Sequence, residues 1–347
     1  METAWGKGGA AALLALAGLS VAGRALRGAT ADLQGQVALI TGGSRGLGLL
    51  LAREFGHAGC TVAICARDAE ELARAQDWLR REGLIEVQTV VCDMTDPEQV
   101  GRMVAEVAAR QGRVDILVNN AGIIMAGPAT EMTRQDYERC MDLMFWGVYN
   151  GTEAVLPAML ARGQGRIVNI TSVGGKVSVP HLLPYCCAKF AATAYSEGMR
   201  AALVRKGIVV TTIAPGEMRT GSFGAAEFKG RQEQEFTWFS VSDSLPFLSL
   251  DAERAARQIV AAVKQNRAER ILGLPAQLGA RFNGLFPATT AKLLALVDRT
   301  LPGEGGAGEQ NAPGREIHRR VRNPVLDRIL DFGISAAHRF NEQPAER

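Results

Sequence analysis

The chain is poor in metal-ligand and disulfide patterns. Its four histidines are not spaced as ligands, and its six cysteines (Cys60, Cys65, Cys92, Cys140, Cys186, Cys187) form no CxxC pair. Neither a zinc site nor a disulfide framework is expected, and a reducing compartment on the cytoplasmic side fits best. Charge of a single sign is also missing: 39 basic residues face 36 acidic ones, a net of +3. That is too little to drive nucleic-acid binding, and no long basic run makes up for it. No internal repeat is visible. What the chain does have is an apolar fraction of 47% against 22% charged over 347 residues. Those proportions exclude a disordered or collagen-like chain and suit a single large domain with terminal extensions.

The two ends differ from the middle. Gly8 to Gly23 is an uncharged Ala/Leu-rich run of 16 residues between Lys7 and Arg24. As a helix it measures about 24 Å, short of the ~30 Å hydrocarbon core of a bilayer. Within segment 1–32, three readings stay open: a short or interfacial anchor, a targeting peptide, and a helix packed on the domain. Segment 276–301, part of an apolar stretch from Leu274 to Leu301, is interrupted by Arg281, Asn283 and Lys292, so it does not span a bilayer. Docking on a membrane surface, packing on its own domain and contact with another subunit of a homo-oligomer all suit it. Residues 302–314 read as a flexible linker. The tail, 315–347, opens on a basic cluster (Arg315, His318, Arg319, Arg320, Arg322) and continues into a short amphipathic helix over Val325–Phe340. A solvated helix, a dimer arm and contact with anionic lipid are its alternatives.

Between these ends, residues 33–275 alternate short β-branched runs with helical stretches. Strands are expected at Val37–Thr41, Thr61–Cys65, Val87–Cys92, Asp115–Asn119, Arg166–Ile170, Ile208–Ile213 and Arg270–Leu272. Helical patterns fall between them, for example Glu70–Arg81, Glu98–Arg110 and Ser196–Arg205. The alternation predicts an α/β fold, a Rossmann-type doubly wound parallel sheet in a single domain.

Thr41-Gly42-Gly43-Ser44-Arg45-Gly46-Leu47-Gly48 joins the first strand to a helix. Glycines at 42, 46 and 48 permit a tight turn and close approach of backbone to a pyrophosphate, and the helix N-terminus offers free N–H groups to that anion. The second strand ends Ile64-Cys65-Ala66-Arg67, with no acid to bond a ribose 2′-hydroxyl. Arg67 and Arg45 together favour a 2′-phosphate, hence NADP(H) over NAD(H); Asp68 caps the next helix if Arg67 merely faces solvent. Tyr185 and Lys189 stand four apart in a helical stretch and so share a face. An ammonium beside a phenol favours the phenolate, which suits proton transfer at a carbinol oxygen. The other tyrosines, Tyr137, Tyr149 and Tyr195, are followed four residues on by Met141, Glu153 and Met199.

With Asn119-Asn120-Ala121-Gly122, Ser172 and Pro215-Gly216-x-x-x-Thr220, these motifs resemble, in order and spacing, the compact, non-extended branch of the short-chain dehydrogenase/reductase family. The resemblance covers roughly residues 35–275 and implies an oxidoreductase that interconverts a carbonyl and an alcohol. It implies catalytic roles for Ser172, Tyr185 and Lys189, with Ser172 bonding the substrate oxygen and Lys189 also holding the nicotinamide ribose. Thr171 is the weaker hydroxyl, since successive side chains on an extended chain point to opposite faces. Asn120, Ala121 and Gly122 would pack against adenosine, Asp93 would accept from the adenine amino group, and Pro215, Gly216 and Thr220 would hold the carboxamide. Ser44, Leu47 and Met94 join the cofactor-lining set.

One position departs from the pattern. Aligning Leu143–Gly147 on the family puts Met144 where an asparagine usually supports a water beside the lysine, and a thioether donates nothing. Asn150 lies about 240° further around the helix and does not replace it. A cofactor-binding protein without turnover therefore stands as a rival, as does a membrane-surface or interaction protein working through its termini. Phe223, Phe228, Phe236, Trp238, Phe239 and Phe247 crowd the Pro215–Leu250 segment where the family builds a substrate lid. They either line an apolar cleft for a lipophilic substrate or pack the lid on the body.

Overall fold

The computed structural model describes residues 30–245, 249–308, 310–321 and 324–342. The apolar run Gly8–Gly23, Phe247 and Arg322 lie outside the described residues, so the readings placed on them stay expectations. Along the chain come β1 (Val37–Thr41), α1 (Gly46–His57), β2 (Thr61–Ala66), α2 (Ala69–Arg81), β3 (Val87–Val91), α3 (Pro97–Gln111), β4 (Ile116–Asn119) and β5 (Met125–Ala126). There follow α4 (Arg134–Met141), α5 (Gly147–Arg162), β6 (Gly165–Ile170), α6 (Leu183–Leu203), β7 (Ile208–Pro215), β8 (Met218–Arg219), β9 (Glu227–Phe228) and α7 (Gln232–Ser244). The last group is β10 (Leu250–Asp251), α8 (Ala252–Lys264), β11 (Glu269–Leu272), α9 (Leu274–Leu285), α10 (Pro287–Asp298), β12 (Ala312–Pro313), α11 (Gly314–Val321) and α12 (Pro324–Arg339).

Seven strands form one parallel sheet in the order β11-β7-β6-β4-β1-β2-β3. Each expected strand is present, with bounds shifted by at most two residues. β1, read as Val-Ala-Leu-Ile-Thr, is buried along its whole length, as a central strand covered on both faces must be. One apolar core lies beneath α1 and α8 (Leu50, Phe55, Ile259, Val263), and the other beneath α3, α5 and α6 (Val100, Met103, Val155, Leu203). The chain leaves β1 for β2 on one side and β4 pairs on the other, so the carboxyl ends of β1 and β4 flank the crevice where such sheets take ligands. Caps set several helix starts: Asp68 accepts from Glu71 N–H at 2.9 Å, and Asp96 accepts from Glu98 and Gln99 ahead of Pro97.

A third core joins the lid to the tail, with Phe223, Phe228, Phe236 and Phe239 packed against Ile317, Leu326 and Leu330. Here the structure corrects two expectations. Residues 302–314 are not a free linker among the described residues. Gly230 N–H donates to Gly308 O and Ala307 N–H to Gly230 O, both at 2.9 Å, and β12 pairs with β9. Gly306, at φ +76°, allows this, because a Cβ there would stand 2.8 Å from Gly230 O. The tail is likewise not a simply solvated helix, because one apolar face of α12 (Leu326, Leu330, Ala337) is buried, while Val325, Ile329 and Phe332 are exposed. α9 and α10, parted at Phe286, do leave Leu274, Leu278, Leu285, Leu293 and Leu296 exposed. Among the described residues no helix is long and apolar enough to cross a membrane.

Leu330 is fully buried in the third core. Leu330→Ala should therefore cost about 2–5 kcal/mol in a urea melt; a loss under about 1 kcal/mol would show that the tail does not share the fold's cooperativity.

Candidate active site

The glycine turn is shaped by close contacts that no side chain survives. A Cβ on Gly48 would lie 2.0 Å from Gly42 O and 2.6 Å from Asn120 Nδ2, and one on Gly42, at φ +61°, would lie 2.9 Å from Ala121 Cα. Asn120 Nδ2 donates to Thr41 O and Gly42 O at 3.0 Å each, while Thr41 Oγ1 accepts from Asn120 N–H and Ala121 N–H. The turn and the Asn120-Ala121-Gly122 segment are thereby bolted into one wall of a cavity of about 930 Å³. The expected residues Gly42, Ser44, Arg45, Gly46, Leu47, Gly48, Arg67, Met94, Asn120, Ala121, Gly122, Ser172, Tyr185, Lys189, Pro215, Gly216 and Thr220 all line that cavity. Asp93 does not. Its carboxylate folds back to accept from Thr95 N–H and Oγ1 at 2.9 Å, and Cys92 and Met94 form the wall beside it.

Ser172 follows β6 and starts a short turn, its Oγ accepting from Gly174 N–H at 2.9 Å. The turn fits against α6 because Gly174 and Gly175 have no side chain: a Cβ would meet Tyr185 Cε1 at 3.0 Å and Lys189 O at 2.6 Å, respectively. Ser172, Tyr185 and Lys189 thus meet at one end of the cavity, with the Ser172 hydroxyl beside the Tyr185 phenol. Lys189 is almost wholly buried, donates to Ile170 O at 2.9 Å, and holds Nζ 5.7 Å from the centre of the Tyr185 ring. Thr171 turns its hydroxyl to Ile213 O at 2.9 Å and so serves the sheet.

The electrostatics differ from expectation at the tyrosine. Burial raises the Tyr185 phenol above its ordinary value, and the neighbouring Ser172 hydroxyl pulls it down by less. Burial also takes the Lys189 ammonium down, to about 8. The arrangement holds a neutral phenol, which is the form that donates a proton.

Met144 is fully buried in a π-helical turn, Asp142–Trp146, between α4 and α5. A Cβ on Gly122 would stand 3.5 Å from its Sδ and 3.7 Å from Lys189 Nζ, so the thioether and the ammonium flank the same glycine. Asn150 donates instead to Met94 O at 3.1 Å. The lid aromatics settle differently from one of their two readings. Phe223, Phe228, Phe236 and Phe239 pack edge-to-face in the third core rather than on the cavity. The cavity's apolar lining includes Ile123, Ile124, Leu143, Met218, Ala225 and Ala226, and Tyr185 packs in the same clusters as Ile123, Ile124, Leu143 and Ala226.

Two acids missed by sequence reasoning also reach this site. Arg45 stands 3.6 Å from Glu71 and 3.4 Å from Glu342, whereas Arg67 is exposed at the cavity rim. Nothing in the local sequence marks Glu342, which comes from the far end of the chain. Its carboxyl is pushed up to about 7 by burial against the pull of Arg45.

A family model described as short chain dehydrogenase matches residues 36–229. Dehydrogenase/reductase SDR family member 7B of Bos taurus is 32% identical over 266 residues, 75% of this chain and 80% of that protein. The crystal structure of a gluconate 5-dehydrogenase from Burkholderia cenocepacia in complex with NADP and tartrate is similar at a TM-score of 0.61 and 30% identity, covering 73% of this chain and 98% of that one. That of actinorhodin polyketide ketoreductase with NADPH is similar at 0.59 and 30%, covering 69% and 95%.

Glu342 holds its proton to about pH 7 when folded, against an ordinary value of 4.5. The folded chain then binds more protons than the unfolded one between those limits, and loses stability as pH rises through them. Urea melts at about pH 5 and about pH 7.5 should show wild type falling relative to Glu342→Gln; parallel curves would remove the buried-acid assignment.

Proposed function

The chain belongs to the short-chain dehydrogenase/reductase family, and from that premise we propose that this oxidoreductase uses NADP(H) to interconvert a lipophilic carbonyl and its alcohol. The observation that carries this is the convergence of Ser172, Tyr185 and Lys189 at one end of a cavity whose other end is a glycine turn tight enough to exclude any Cβ. The turn and the α1 N-terminus would hold the pyrophosphate, with Arg45 and Arg67 on the 2′-phosphate. Asn120, Ala121 and Gly122 would face the adenosine, Lys189 and Tyr185 the nicotinamide ribose, and Pro215, Gly216 and Thr220 the carboxamide. The NADP and NADPH in the two similar crystal structures support the same choice of nucleotide.

When bound, the cofactor supplies or accepts a hydride. The chain's own residues do the rest. Ser172 Oγ–H bonds the substrate oxygen, steadying the negative charge that builds there. Tyr185, kept neutral by burial, gives its O–H proton to that oxygen in reduction and takes it back in oxidation. Lys189, fixed by Ile170 O, orients the ribose and the phenol. Met144 offers no donor beneath the ammonium, so Tyr185 is re-protonated from the open cleft. Ile123, Ile124, Leu143, Ala225 and Ala226 support an apolar substrate, taking over the role first given to the lid phenylalanines.

The domain is read as 33–275, with 315–342 folded onto it. Met144 beside Lys189 favours one second reading, a nucleotide-binding protein with little turnover.

Tyr185→Phe distinguishes them. It should cut carbonyl-dependent NADPH oxidation by about 10²–10⁴-fold while leaving NADPH affinity within a few-fold. Unchanged turnover would overturn the proton-transfer role.

A further inference from the structure

The glycine turn already carries an occupant, and it comes from the chain's own far end. Gly46 N–H, the first of helix α1, donates to Phe340 O at 2.9 Å. Asn341, in the left-handed region at φ +58°, donates through Nδ2 to Ser44 O at 2.8 Å and Glu71 O at 3.1 Å. Glu342, buried, lies against Arg45 at 3.4 Å, and its Oε1 stands 2.8 Å from where a Cβ on Gly46 would be. The tail therefore presents a carbonyl oxygen to the loop's N–H and a carboxyl group to its arginine. Those are the two kinds of acceptor that phosphate oxygens would offer at the same groups.

The placement is held from behind by α12. Ala337 packs on Gly221, where a Cβ would lie 2.6 Å from Ala337 Cα, and Gly333 lies under the Phe223 ring and Ser244. Those contacts fix the helix on the lid, and among the described residues beyond it the three at 340–342 reach the cofactor turn. The loop contact is made by polar bonds that a phosphate is able to replace, and its release also withdraws the buried Phe340 ring from the core beneath α1.

We propose that residues 340–342 form an intramolecular latch that competes with the dinucleotide's phosphates for the glycine turn and Arg45, so that cofactor entry requires the tail end to leave. The proposal rests on the NADP(H) reading above. A latched chain binds with an affinity reduced by the fraction that is open, so a tail docked in about nine chains of ten weakens binding roughly tenfold.

The test compares full-length protein with Asn341→Ala/Glu342→Ala and with a chain ending at Arg339, each first shown by thermal melt to be folded. NADPH fluorescence titration should show both variants binding roughly tenfold more tightly than wild type. In the full-length protein, added NADPH should speed tryptic cleavage after Arg339, followed as release of the fragment beginning at Phe340. Equal or weaker NADPH binding by the variants, or protection of that bond by NADPH, would overturn the latch while leaving the NADP(H) reading in place. Failure of all three proteins to bind NADPH would overturn both.

Discussion

A buried ammonium ties the parts of this molecule together. Lys189 projects from α6 toward the end of β6, donates to Ile170 O, and sits beside the Tyr185 ring on one side and near Gly122 and Met144 on the other. Burying an unpaired cation is costly, so the strand carbonyl and the glycine-lined space around Nζ are conditions for α6 to seat at all. Once it seats, Ser172 and Tyr185 have little freedom. The turn that carries the serine is pressed on α6 at Gly174 and Gly175, where a methyl group would collide. The geometry of the proposed catalytic group and the packing of the helix are here the same set of contacts.

Much of this was legible in the sequence because it depends on local rules. Short, continuous β-branched runs such as Val37–Thr41 and Ile208–Ile213 have few outcomes in a buried parallel sheet, and the glycine turn follows from where its glycines stand relative to the first strand. The four-residue spacing of Tyr185 and Lys189 placed them on one face without any knowledge of the tertiary fold. What stayed hidden depends on partners distant in the chain. The direction of the Tyr185 shift is set by burial, which spacing does not reveal. The turn around Thr95 claims Asp93, and the lid phenylalanines, read without their partners, gave no sign that Ile317, Leu326 and Leu330 would cover them. The described part of segment 302–314 looked like a linker because glycine-rich composition is shared by mobile chains and by backbone that must pass close to another strand.

The C-terminal extension changes how the cleft is to be understood. Its helix completes the core beneath the lid, so the substrate side and the tail share one apolar cluster. Its last described residues meet the cofactor turn through acceptor groups and a buried acid, contacts of a chemistry that the turn would offer to phosphates. One element thus touches both the lid and the glycine turn.

The claim at the centre is that this cleft moves a hydride between a nicotinamide and a carbonyl carbon. Its most direct measurement uses NADPH stereospecifically deuterated at C4 against a panel of lipophilic ketones and aldehydes, with the alcohol products read by mass spectrometry. The account expects one deuterium on the carbinol carbon, delivered from one C4 face only. Tight NADPH binding with no label in any alcohol would contradict it.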